Sequence, residues 1–104
     1  MSNRIYFEVL NHRDKKIRIT KDHRNFIIKE KHLEIEGQEE KVKLTIRKPN
    51  QVRISQDDEN VYLYYCRFGK YYLCAVARHL NDEGFIITIY FTDKVKEGKL
   101  IWQE

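Results

Sequence analysis

The chain has 104 residues, with 20 Lys and Arg against 16 Asp and Glu and a net charge of +4. That length makes one domain, residues 1–104, with a single core of little margin, and the mild charge permits a polyanionic partner without requiring one. No apolar run approaches membrane-spanning length, the opening "MSNRIYFEVLNHRDKK" lacks the apolar stretch of a secretory leader, and Cys66 and Cys74, with no CxxC or HxxxH spacing, read as free thiols of a reducing, cytoplasmic compartment rather than as metal ligands.

"RIYFEVL" at 4–10 and "KIRI" at 16–19 predict a hairpin around "NHRDK". Thr20 or Asp22 then caps a helix whose apolar positions, Phe26, Ile27, Leu33 and Ile35, keep close to helical spacing, with Gly37 at its end. A second helix fits 38–47, "QEEKVKLTIR", where Val42 and Ile46 stand four apart. Pro49 stops it and pushes Lys48 toward extended geometry. Strands follow: "QVRIS", the acidic turn "QDDEN", "VYLYYCRF", a two-residue "GK" loop, "YYLCAVARHL", a four-residue "NDEG" loop and "FIITIYFT". "DKVKEGKLIWQE" closes the chain as a turn and a short terminal strand, with Trp102 capping the core and the Lys-rich "RDKK" and "KVKEGK" segments as solvated faces. The expected fold is α+β: an N-terminal hairpin and two helices packed on one face of a four-stranded antiparallel meander sheet. The first hairpin either joins that sheet or serves as a homodimer contact through its free edge.

The meander can be registered by hand. A "GK" hairpin sets Cys66 opposite Leu73, Tyr64 opposite Ala75 and Tyr62 opposite Ala77; the "NDEG" loop sets Ala77 opposite Thr88 and Ala75 opposite Tyr90. "FIITIYFTD" alternates strictly, with Phe85, Ile87, Ile89 and Phe91 on one face. A core face then collects Leu63, Tyr65, Cys74, Val76, Ile87 and Ile89. The open face collects Tyr62, Tyr64, Ala75, Ala77, Thr88 and Tyr90, with Arg53 and Ser55 from the first short strand and His79 near the rim. Small alanines among tyrosines make a shallow groove. Phenol rings stack bases, a guanidinium holds a phosphate by two prongs, and an imidazole moves protons near neutral pH.

"KDHRNFIIKEKH", "VRIS", "VYLYY" and "YLCAVARHLNDEGFIITIYFTDK" together resemble a small prokaryotic domain family of unknown function, common in cyanobacteria and grouped with the barnase–EndoU–colicin–RelE ribonuclease fold; the likeness covers roughly residues 18 to 102. The resemblance implies a RelE-like fold and a metal-independent ribonuclease of the toxin or effector type, with the helix histidine at His32, an Arg-x-Ser pair at Arg53 and Ser55, and a Thr-x-Tyr pair at Thr88 and Tyr90. That family often has Pro after the helix histidine, where this chain has Leu33. It often has a basic residue directly after "LYY", where this chain has Cys66, with Arg67 one step on.

RNA carries its own nucleophile, the 2′-OH, so cleavage needs a base, an acid for the leaving 5′-oxygen, and positive charge at the phosphate. In this reading His32 or His79 is base or acid, Arg53 stabilises the phosphorane, and Thr88 and Tyr90 position the phosphate, Tyr90 serving as acid if its pKa is lowered. Tyr62 and Tyr64 stack flanking bases, and Ser55 and Arg67 complete the binding set. No cofactor and no metal is called for. The partners expected are RNA and, for a toxin, an acidic antitoxin covering the open face. The competing reading is a non-catalytic module that binds RNA or a protein through the same Tyr-rich face.

Overall fold

The structure, a computed structural model, describes residues 4–95 and 98–104. Strands β1 (Ile5–Leu10) and β2 (Lys16–Thr20) form the first hairpin. Its turn is built by Asn11, whose Oδ1 accepts from the amides of Arg13 and Lys15 at 2.8 and 2.9 Å. Thr20 ends β2 and caps α1 (Lys21–Phe26), its Oγ1 accepting from the His23 amide at 3.2 Å. The expected single helix does not continue. Residues Ile27–Lys31 widen into a π-helical turn, His32 leaves helical geometry at φ −144°, and a 3-10 turn at Leu33–Ile35 leads on to α2 (Glu39–Arg47). Ile27, Ile28 and Ile35 stay buried through this irregular stretch, so tertiary burial sets its path where helical spacing alone would have run straight.

The remaining strands are β3 (Gln51–Ile54), β4 (Val61–Phe68), β5 (Tyr71–Leu80), β6 (Glu83–Thr92) and β7 (Lys99–Gln103). They do not make a four-stranded antiparallel meander. Among the described residues all seven strands form one mixed sheet in the order β1-β2-β6-β5-β4-β3-β7, with only two short α-helices. Two long-range pairings enlarge it. The hairpin joins through β2, which runs parallel to β6 over Lys16–Arg18 and Glu83–Phe85. At the other end β7 pairs with β3. The first join works because Gly84 leaves room for Ile17: a Cβ at Gly84 would stand 2.6 Å from the Ile17 Cδ1. Arg18 ties the three strands, with ion pairs to Glu83 and to Glu8.

The β4–β5 register is the predicted one, Cys66 opposite Leu73 and Tyr64 opposite Ala75, around Gly69 at φ +65°. The β5–β6 register is not. The turn is only Asn81 and Asp82, with Asn81 at φ +59°, so Leu80 meets Glu83. A bulge at Ile87 then shifts the ladder, and Thr88 lies opposite Val76 and Tyr90 opposite Cys74.

The expected inner and outer faces therefore exchange members. Both helices cover the face of Tyr64, Leu73, Ala75, Ala77, Ile86 and Ile89, where these residues join Ile17, Ile19, Val42, Ile46 and Val52 in the main core. Ala75 and Ala77 are small because α2 lies against β4 and β5, not because a groove is needed. The opposite face carries Tyr65, Cys74 and Val76 with Leu63, Tyr72 and Tyr90, and Val95 packs on it as the chain leaves β6. Phe85 and Ile87 are left at the exposed edge.

Cys66 and Cys74 are both buried, outside any disulfide, and on opposite faces of the sheet. Among the described residues no helix is long and apolar enough to cross a membrane. Within the "KVKEGK" segment, Lys96 and Glu97 lie outside the described residues.

Candidate active site at the free edge of β6

β2 accompanies β6 only as far as Phe85. Beyond that point α1 and the π-helical turn run beside β6, and side chains take over from the strand ladder. The carbonyl oxygen of Ile87, at the bulge, accepts from His23 Nε2 at 2.7 Å. A carbonyl can only accept, so Nε2 carries the hydrogen and Nδ1 is the nitrogen left to take a proton. The Thr20 cap fixes the start of the helix that presents this ring.

Between these elements lies a cavity of about 520 Å³ lined by His23, Phe26, Lys31, His32, Ile87, Thr88 and Tyr90. His32 stands where the π-helical turn ends, its amide bonded back to the Ile27 carbonyl at 2.8 Å. Its Nδ1 faces the Glu34 carboxylate at 3.4 Å, and its ring lies 5.8 Å from that of Tyr90. A carboxylate behind one ring nitrogen orients the other for proton transfer. Phe26 is 48% exposed beside His23, with ring centroids 6.0 Å apart and planes nearly parallel. Lys31 supplies positive charge at the rim.

Tyr90 is held away from ionisation. Burial, followed by the neighbouring Cys74 and Tyr65, raises its pKa above the usual tyrosine value. The condition for its acting as an acid through a lowered pKa is not met. Its contribution to the cleft is a ring wall against His32.

Of the expected site residues, His32, Thr88 and Tyr90 meet in this cleft. Arg53 does not join them. It shares their face but is three strands distant, through Leu63 and Val76, or roughly 14 Å. Its guanidinium is bonded to Gln51 Oε1 and to the Gly98 carbonyl, both at 2.8 Å, and so secures the approach to β7. Ser55 follows β3 and accepts from the Asp57 amide in the acidic turn. Arg67 lies near the β4–β5 turn, bonded to the Gly69 carbonyl. Tyr62, Tyr64 and His79 point to the helix side, where Tyr64 is fully buried and its hydroxyl meets His79 Nε2 at 2.7 Å.

Sequence reasoning missed His23, Lys31 and Phe26. His23 and His32 are nine residues apart, which in a regular α-helix is about two and a half turns and would place them on opposite sides. The π-helical turn and the break at His32 bring both rings to one cleft. The available signal was the Thr20 cap, which fixes His23 in the first turn.

Among the described residues no group of three or more His, Cys, Asp or Glu side chains is placed to hold a metal ion. No family model, curated protein or solved structure matches this chain.

Proposed function

We propose that the protein is an endoribonuclease whose cleft at the edge of β6 cuts RNA by attack of the 2′-OH on the adjacent phosphorus. The observation that carries this reading is the pair of imidazoles, His23 and His32, facing one cavity with a lysine, a hydroxyl and an exposed aromatic ring around them. His23, its Nε2–H held by the Ile87 carbonyl, takes the 2′-OH proton at Nδ1. The new P–O2′ bond forms, the P–O5′ bond breaks, and His32 gives a proton to the leaving 5′-oxygen, with Glu34 at its back. The products are a 2′,3′-cyclic phosphate and a 5′-hydroxyl. Lys31 and Thr88 bind the non-bridging oxygens while charge develops on them. Phe26 stacks a flanking base.

This reading agrees with the ribonuclease expected from the family resemblance and keeps His32 from its expected set, but takes its base from His23 rather than His79 and its charge from Lys31 rather than Arg53. The toxin role, with an acidic antitoxin over the cleft, rests on the resemblance alone.

The test is cleavage of a single-stranded and a structured RNA in excess EDTA. We expect cleavage to persist in EDTA and to fall by about 10²- to 10⁴-fold in His23→Ala and in His32→Ala, with both variants folded by circular dichroism. Undiminished cleavage in both would remove the site. Absence of cleavage by the folded wild-type protein would leave a non-catalytic RNA-binding module, for which exposed Phe26 and Lys31 are the contacts.

A further inference from the structure

A second cavity lies at the other end of the sheet. Its volume is about 330 Å³, and its walls come from the β1–β2 turn, the β5–β6 turn and the ends of β3, β4 and β7. It is reached from the helix side of the sheet, roughly 13 Å along β6 from Thr88, since His79 pairs with Gly84. The proposed cleavage chemistry uses none of its residues.

Two features of this cavity ask for a ligand. The first is charge: Arg13 and Lys15 both line it, from a turn that the Asn11 side chain holds in shape. Lys15 also meets Asp82, but through an exposed pair at 2.7 Å, which a competing anion can replace at small cost. The second is a preformed aromatic surface. The rings of Tyr62 and His79 are 4.1 Å apart, the closest ring pair among the described residues.

His79 is locked in one tautomer. Tyr64 is fully buried and its hydroxyl already accepts from Asn11 Nδ2 at 3.0 Å, so its own hydrogen needs an acceptor; His79 Nε2 is the one it meets, which puts the His79 proton on Nδ1. Burial, then the nearby His12 and Lys15, pulls His79 down to about 4, so its ring is neutral at pH 7 and stacks as an uncharged heterocycle. His12 also lines the cavity, with its Nδ1 buried in the wall behind it.

We propose that this cavity binds a nucleoside monophosphate unit, its phosphate between Arg13 and Lys15 and its base against the Tyr62–His79 pair. The volume falls within the usual range for small-molecule sites. The unit can be a free nucleotide or one residue of an RNA strand, and the two sources share this chemistry.

Trp102, the single tryptophan of the chain, reports on the site because its ring is 4.8 Å from that of His12. The experiment is titration of the wild-type protein with UMP, AMP, uridine and inorganic phosphate while Trp102 emission is followed. A saturable change is expected with a nucleotide. Affinity should drop about tenfold or more for uridine, for phosphate alone, and for the Arg13→Gln, Lys15→Gln double variant. A 2′-O-methyl RNA trimer, which cannot be cut by 2′-OH attack, separates the sources: tighter binding than UMP assigns the site to a strand, and weaker binding to the free nucleotide. No saturable change with either nucleotide overturns the proposal. So does equal affinity for uridine, or a response unaltered in the double variant. A response lost in His32→Ala, where Arg13 and Lys15 are intact, would place the ligand in the β6 cleft and overturn it as well. Cleavage plays no part in this readout, so it stands or falls separately from the ribonuclease reading.

Discussion

The neutral ring of His79 has a consequence for stability. Its pKa drops from an ordinary 6.5 to about 4 in the folded protein. Between those values the unfolded chain takes up a proton that the native chain refuses, so acid favours unfolding. The stabilisation is whole above pH 6.5 and is lost as the pH falls toward 4. Allowing for the partial solvent exposure of the ring, the loss is about 1–2 kcal/mol. His12 is lowered as well, by burial and by Arg13, and acts in the same direction. Urea denaturation at pH 7, 5.5 and 4.5 should show this fall in the wild-type protein, and a clearly shallower one in His79→Gln, which cannot take up the proton. At this same scale the sequence was readable in part. Thr88 and Tyr90 were placed correctly on one strand face because they lie two apart beyond the bulge. Arg53 lies apart from the cleft, which the sequence could not show, because an alternating arginine looks the same whether it faces a ligand or, as here, binds the Gly98 carbonyl.

Among elements, the stretch from α1 to the 3-10 turn decides the geometry of the cleft. The π-helical turn holds one residue more than an α-helical turn would, and His32 is presented at its end. Deleting the exposed Lys29 should let that turn close as α-helix and swing His32 and the 3-10 turn by about 100° about the axis. We expect the ΔLys29 protein to stay folded by circular dichroism while RNA cleavage falls as far as in His32→Ala. Cleavage at the wild-type rate would show that the widened turn is not what places the ring. Elements held by local chemistry were legible in the sequence. The Thr20 cap, the Gly69-Lys70 hairpin and α2 all arise from residues within a few positions. The bulge at Ile87 and the break at His32 were not legible, because burial of Ile86 and Ile89 in one case, and of Ile27, Ile28 and Ile35 in the other, overrides strict periodicity. The two-residue turn at Asn81 and Asp82 was misjudged because the acidic Glu83 and the glycine after it look like loop residues, whereas Gly84 is buried in the ladder against Ile17.

Across the whole molecule, the sheet grows by two kinds of pairing. β4, β5 and β6 succeed one another through tight turns, whereas β2–β6 and β3–β7 close long stretches of chain. Loop closure makes the second kind slower to form. No local signal announces it, and so the sheet was expected to have four strands. Hydrogen exchange should rank these pairings, with β4 and β5 amides the most protected and the β1–β2 hairpin and β7 opening earlier. Equal protection across all seven strands would contradict this order. The β6 cleft spans the slow closure: His23 comes from one side of it and Ile87 from the other, 64 residues apart, and their hydrogen bond exists only when the halves have met. A chain in which only the β1–β2 hairpin, α1 and the turns after it have formed holds both histidines and no cleft, so the proposed site comes into being only with the joined sheet.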